Sequence, residues 1–241
     1  PYAADEIIFD YYPLESSRRE GYSHVLLVVA HRQVVNTHLR LLQGAGLKSF
    51  RITLGTISTA GWIVRRLGAE ARHAVCAGRD LNGANADFFI CKDGQVIFTQ
   101  NLSADTESLL PEAARAMQIY RSEDIDKDPQ YLALTGSVVR SMGLEEKLNE
   151  VLGIPVRFLP VAESEKRLLS SGLEESFSKN SFTAVMGLAG QSKAGLINLV
   201  PQETLVQDSL VEKSRNLLVA GVLLLAIFLM GVGIFAAHYA Q

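Results

Sequence analysis

Few residues in this chain combine types and spacing that could do chemistry. The densest group is Gly78-Arg79-Asp80-Leu81-Asn82-Gly83, where glycines flank a carboxylate and an amide. Glycines let backbone N–H groups close around an anion such as a phosphate. The run lacks the lysine and the following Ser/Thr that a phosphate-binding Gly-x-x-x-x-Gly-Lys loop needs, and an Asp beside Asn-Gly is more simply turn chemistry. His31 and His38 lie two helical turns apart with no third ligand nearby, so two surface histidines are the simpler reading than a metal site. Cys76 and Cys91 could face each other across strands; as free thiols they read as small buried hydrophobes, too few for a disulfide scaffold. Glu145 and Glu146 are adjacent on a predicted helix and therefore diverge, which is poor geometry for an acid–base pair. Arg65 and Arg66 read as a solvated helix end, and no nucleophile elbow is present. No catalytic residue, no metal site and no cofactor is expected.

The elements that would position these residues follow from periodicity. Glu6–Tyr12 is β-leaning and ends at Pro13, and Glu15–Gly21 is turn-like. Val25–Ala30 is apolar without alternation, the pattern of a strand covered on both faces. Arg32–Gly44 has a helical period stopped by Gly44 and Gly46, and Thr59–Leu67 is a second amphipathic helix with Ser58 as its cap. Phe50–Leu54 reads as a strand between them, giving an α/β layer. Farther on, Ala74–Ala77 reads as a strand entering the Gly78–Gly83 loop. Asp87–Cys91 and Val96–Thr99 flank Lys92-Asp93-Gly94-Gln95, a hairpin signal. Ala104–Tyr120 is a helix that Pro111 breaks or restarts. Tyr131–Gly136 is a strand, Leu144–Leu152 a helix stopped by Gly153 and Pro155, and Val156–Leu159 a short strand. Leu168–Asn180 is polar and unpatterned, and Phe182–Ala189 is a final helix.

The C-terminal part has a different character. Leu217–Ala237 is continuously apolar, with no charge and no proline. About twenty such residues cross a bilayer as a helix, whereas a soluble core helix keeps a polar stripe. Leu217, Gly221, Leu225, Phe228, Gly231 and Phe235 would face lipid or a helical partner, although Gly221, Gly231 and Gly233 do not form a GxxxG pair. Lys213 and Arg215 precede the run, which places the preceding body in the cytoplasm and the C-terminus outside it. The 241 residues carry a formal net charge of -3, which excludes a nucleic-acid surface that depends on a basic field.

Several segments also resemble a known family in order. Pro1–Tyr11, Val25–Ala30 and the helix ending Ala45-Gly46-Leu47-Lys48 resemble the middle of PilM, the actin-like protein of type IV pilus assembly platforms. Met117–Ser122, Leu132-Ala133-Leu134-Thr135-Gly136-Ser137, Gly153–Val156 and Ala184–Ala189 are similar to its later elements. Ile197-Asn198-Leu199-Val200-Pro201 resembles the N-terminal peptide of PilN, the membrane protein that PilM binds, and the apolar run follows as in PilN. Type II secretion proteins of the GspL kind share this plan.

The resemblance implies an α/β, partial or degenerate actin-like (ribonuclease-H-like) fold with one C-terminal transmembrane helix. Its implied division is a first actin-like segment over 1–71, a shortened second subdomain over 72–194, the PilN-like motif and linker over 195–214, and the span over 215–241. The role implied is a scaffold of the bacterial inner membrane, with the bilayer, other platform proteins and a helix partner in the membrane as contacts, and with Ile197, Asn198, Leu199 and Pro201 as the interaction motif. Actin-like ATPases hold phosphates with two glycine-rich turns, each bearing an acidic residue. The first would precede Pro1; in the second, Cys76 stands where the aspartate belongs. The degenerate nucleotide positions are then Gly78, Asp80, Gly136 and Ser137, and ATPase activity is not expected. Two alternatives remain: an actin-like ATPase whose first phosphate loop was trimmed before Pro1, or a single-span accessory subunit of an unrelated membrane complex.

The basic flank generates a topology prediction. In spheroplasts, a cysteine placed at Gln241 should react with a membrane-impermeant thiol reagent and one placed at Ser170 should not; the opposite pattern would invert the topology.

Overall fold

The structure is a computed structural model that describes residues 3–14, 23–68, 75–82, 85–103, 108–123, 125–136, 143–161, 181–190 and 197–206, with 210, 214, 217–224, 227, 229 and 230 beyond them. The chain forms two units by internal packing: a smaller one of Pro1–Ile8, Ala30–Ile52 and Leu199–Gln241, and a larger one of Phe9–Val29 and Thr53–Asn198.

Strands β1 (Ile7–Pro13) and β2 (Val25–His31) form a two-stranded sheet. Leu14 N–H donates to the His24 carbonyl at one end and Arg32 N–H to the Glu6 carbonyl at the other, which makes the pair antiparallel. Ile8, Tyr12 and Val28 point inward and are buried, while Phe9, Tyr11, Val25, Leu27 and Val29 are exposed. The expectation that Val25–Ala30 is covered on both faces is therefore corrected: the run is apolar on both faces, but alternate residues stay open.

In the smaller unit, helix α1 (Arg32–Gly44) buries Val35 and Leu39. It ends where Gly46 turns to φ +73, with Gly46 N–H bonded to the Gln43 carbonyl and Leu47 N–H to the Leu42 carbonyl. That paired closure needs a left-handed residue, which glycine adopts without steric cost. The expected strand over Phe50–Leu54 does not form; these residues run without a sheet partner into helix α2 (Gly55–Leu67). This helix starts earlier than its periodicity predicts, so Ser58 lies inside it and donates to the Leu54 carbonyl instead of capping.

The larger unit is built on a five-stranded sheet in the order β5-β4-β3-β6-β7, from β3 (Val75–Asn82), β4 (Asn85–Lys92), β5 (Gln95–Ser103), β6 (Leu132–Gly136) and β7 (Val156–Phe158). β3–β4 and β4–β5 pair antiparallel, whereas β3–β6 and β6–β7 pair parallel. The β4–β5 hairpin closes at Asp93 and Gly94, both with positive φ, as the Lys92–Gln95 signal predicts. Parallel neighbours need crossovers, and helices α3 (Leu109–Glu123) and α4 (Leu144–Leu152) lie on them. Pro111 sits in the first turn of α3, where its missing N–H costs nothing, so the helix is unbroken. α4 ends on the left-handed Gly153.

Period-2 alternation divides the sheet into two faces. Ala77, Arg79, Phe88, Ile90, Phe98, Leu132 and Leu134 share the face toward α3, where Phe98 meets Tyr120 edge-on at 5.6 Å. Cys76, Gly78, Asp80, Asp87, Phe89 and Thr135 share the other, toward α2 and helix α5 (Thr183–Ala189). α5 packs on α2 at close range. A Cβ at Gly187 would collide with the Ser58 backbone carbonyl. Arg65, far from being a free helix end, donates to the Met186 and Gly187 carbonyls at 3.2 and 3.1 Å and so closes the C-terminus of α5.

The described part of the expected membrane segment, 217–224 with 227, 229 and 230, is helical and exposed. Among the described residues no helix is long and apolar enough to cross a membrane. Lys213, Arg215, Leu225, Phe228, Gly231 and Phe235 lie outside the described residues, as do the polar stretch 168–180 and Ser137.

Because the obstacle at Gly187 is backbone, it cannot rotate away. Gly187→Ala should destabilise the chain by about 1–3 kcal/mol in chemical denaturation. Gly55→Ala, whose Cβ would meet only the Ala184 methyl at 3.7 Å, should be near neutral.

Candidate functional site

The described part of the glycine-flanked run is a strand, and Gly83 lies outside the described residues. Gly78 to Asn82 continues β3, paired on one side to β4 and, as far as Leu81, on the other to β6. The reason for Gly78 is visible in its neighbour: the ring of Phe89, its partner across β4, occupies the space a Cβ would need. A glycine there serves cross-strand packing, so its backbone is not open to a phosphate.

Asp80 is held from two sides. Its Oδ1 accepts from Thr135 Oγ1 at 2.9 Å and from Ser181 Oγ at 2.7 Å. Thr135 is its register partner on β6, and Ser181 lies at the start of α5, where its hydroxyl also bonds Thr183. Burial raises the pKa of Asp80 above the usual carboxylate value, Asp87 adds to the shift, and the two hydroxyls oppose it. Asp87, its register partner on β4, accepts from Thr56 Oγ1 at 2.9 Å and Asn101 Nδ2 at 3.1 Å. The two carboxylates thus tie β3, β4, β5 and β6 to the starts of α2 and α5. Asp80 Oδ1 and both oxygens of Asp87 are engaged by internal hydroxyls and an amide, the arrangement of a structural network.

Cys76 faces Cys91 across the β3–β4 ladder with the sulfurs 3.0 Å apart. Both are buried free thiols. The Cys91 thiol, hydrogen-bonded to Cys76 and shut away from water, is pushed well above the ordinary thiol range. Gly136 closes β6 at φ +103, and Ser137 lies outside the described residues. Sequence reasoning missed Arg79, a fully buried guanidinium on the opposite face that donates to the Leu109 carbonyl at 3.1 Å. Burial pulls it down to about 10, opposed by the charge of Glu112, so it stays protonated at neutral pH. Its position within a strand read as a loop hid it. His38 is engaged locally, its Nδ1 2.8 Å from the Val34 carbonyl, and no group of metal-ligating side chains occurs among the described residues.

A second candidate is the extended segment from Ile197 to Pro201. Ile197, Leu199 and Val200 are almost wholly buried. In the larger unit the Asn198 N–H donates to Asp10 Oδ2 at 2.7 Å; in the smaller, the Leu199 N–H donates to the Ile52 carbonyl at 2.8 Å. The Pro201 carbonyl then accepts from Thr204 and Leu205 and opens a short helix. Asp10 is preset for this, since its other oxygen accepts from the Tyr11 N–H. Val200, which an alternating extended segment would turn outward, is buried as well. Beside this segment in the smaller unit, a depression of about 780 Å³ runs along α1, lined by Glu6, Arg32, Asn36, Arg40, Gln43 and Thr204 among others.

The folded-state pKa of Asp80 lies above the free value of 3.8, so the folded chain takes up this proton first as pH falls. Its contribution to stability is therefore fullest below 3.8 and is lost as pH rises through the raised value. Thermal melts should show the unmodified chain losing stability relative to Asp80→Asn as pH climbs from the acid range. A difference that grows in the other direction would overturn the assignment.

No family model matches the chain, and no curated protein does. Solved structures do. One described as the PilM–PilN type IV pilus biogenesis complex aligns with a TM-score of 0.59 at 22% identity, covering 78% of this chain and 67% of that one. A protein of Bacteroides thetaiotaomicron with an actin-like ATPase fold and unknown function aligns at 0.42 and 12% identity, covering 79% of this chain and 61% of that one. The ethanolamine utilization protein EutJ of Carboxydothermus hydrogenoformans aligns at 0.36 and 15% identity, over 51% and 55%. The first likeness identifies the architecture: the mixed five-stranded sheet and its helices form a PilM-like actin fold.

Proposed function

We propose that this chain is a scaffold of a type IV pilus or related secretion platform, in which an actin-like body carries its own docking peptide and is anchored by the apolar C-terminal segment in the bacterial inner membrane. The observation that carries the reading is the docked segment Ile197–Pro201. Burying Ile197, Leu199 and Val200 is worth roughly 5–9 kcal/mol by transfer arithmetic, and fixing the backbone of so short a stretch costs about as much. A free peptide of this kind would bind weakly. A covalent tether raises its local concentration to about the millimolar range and makes the docked state the populated one. The PilM-like fold supports the same reading, since the similar solved complex joins PilM to PilN.

The membrane part rests on Leu217–Ala237, whose composition has no polar face to present to water. The exposed leucines and valines along the described helical residues from Leu217 to Met230 agree with a lipid environment. The ATP-related part rests on the occupied state of the would-be nucleotide strand: Phe89 over Gly78, Asp80 engaged by two hydroxyls, and a thiol at Cys76 in place of a carboxylate. These features favour a body that recognises partners over one that turns over nucleotide.

The test is limited proteolysis of the full chain between Ala194 and Ser209. Asp10→Ala removes the acceptor of the Asn198 N–H, and Leu199→Asp places a charge in an apolar site. Each should speed cleavage there about tenfold or more without lowering the melting temperature of the remaining body by a comparable step. Rapid cleavage of the unmodified chain at the same place would make the segment a free linker and defeat the reading.

A further inference from the structure

The β1–β2 ribbon carries an apolar face that the rest of the described chain leaves open. Phe9 is 60% exposed, Tyr11 and Leu27 56% each, Val29 49% and Val25 48%. The hydrogen bonds at the two ends of the ribbon, Leu14 to His24 and Arg32 to Glu6, set the register. That register puts Phe9 opposite Val29 and Tyr11 opposite Leu27, so the side chains form one continuous strip. Ribbons that face water on one side alternate apolar and polar residues; here the outward positions Phe9, Tyr11, Val25, Leu27 and Val29 are apolar too.

We propose that this face is an interface between two copies of the chain, packed ribbon on ribbon about a twofold axis. Four observations favour a second copy over other occupants. The five side chains expose on the order of 500 Å² of largely apolar surface. Two such faces would bury about 1,000 Å² together, near the threshold at which a specific interface becomes stable. The strip itself carries no formal charge, so it meets its own image without repulsion or unpaired groups, as a twofold interface requires. The connecting residues Glu15, Ser16, Ser17, Arg18, Arg19 and Glu20 balance in charge. An anionic bilayer surface would therefore gain little electrostatic attraction from the hairpin, which argues against lipid as the occupant. Aromatic and β-branched residues, which make up most of the strip, are also those that gain most from face-to-face packing of sheets.

The experiment is light scattering of the purified full chain in mild detergent across a concentration series, with circular dichroism on every variant. A two-chain mass is expected at tens of micromolar. Leu27→Lys, which would bury a charge at the centre of the interface, should weaken association by about 100-fold and leave the far-ultraviolet spectrum unchanged. Tyr11→Ser, a milder change, should weaken it by about tenfold. Val34→Lys, at an exposed apolar position on α1, should leave the two-chain mass intact. A one-chain mass for the unmodified protein would overturn the proposal, as would a two-chain mass that survives both ribbon variants. So would protection of Tyr11→Cys from thiol labelling that needs anionic vesicles, which would assign the face to lipid.

Discussion

The larger unit depends on β3, which pairs with β4 along its whole length and with β6 from Ala77 to Leu81. A strand that must satisfy an antiparallel neighbour and a parallel one at once has no free backbone to offer a ligand. It also has two faces to keep dry. One face is filled by Ala77 and the covered guanidinium of Arg79; on the other, Gly78 gives way to the ring of Phe89 so that β3 and β4 can approach. The carboxylates of Asp80 and Asp87 follow at the end of the strand pair, where they find hydroxyl and amide donors from β5, β6 and the starts of α2 and α5. The same residues that would make a nucleotide turn in an open loop become fasteners once the strand is extended through them.

That conversion bears on function. An actin-like enzyme needs carboxylates turned toward a metal and glycines turned toward phosphate. Here Asp80 Oδ1 and both oxygens of Asp87 accept hydrogen bonds from within the fold, and Cys76 and Cys91 are paired as buried thiols. What such a body retains is surface: a docked apolar peptide, a depression along α1 and an open ribbon face. Fold alone does not assign a role to these surfaces.

The docked segment also shows how few groups are needed. One carboxylate and one carbonyl receive its successive N–H groups, and three aliphatic side chains are removed from water. Each part is weak, and the net is set by the covalent attachment that keeps the segment near its site. The charge of Asp10 makes the Asn198 bond the stronger of the two, since bonds to ionised acceptors gain more than neutral ones.

Much of the secondary structure was legible from residue order. The periodicity of Arg32–Gly44, the Asp93-Gly94 turn, and the glycine stop after Leu152 each depend on local backbone energetics, and each formed where the sequence placed it. The relation of Cys76 to Cys91 was readable as a cross-strand proximity for the same reason. What local pattern could not decide was which apolar faces find a cover and which polar groups find a partner. Val25–Ala30 reads as doubly buried, yet burial needs a second layer that the described chain does not supply. Phe50–Leu54 has the composition of a strand but joins no sheet, because strand pairing is a non-local event. Gly78–Gly83 reads as a turn, yet Phe89 and β6 claim the edges of Gly78–Leu81, and Arg79 became a buried charge only when α3 closed over it. The sequence by itself determined the helices, the hairpin turn and the glycine stops; tertiary pairing decided that Gly78–Leu81, read as a binding loop, is a strand, because its backbone groups are held by β4 on one side and β6 on the other.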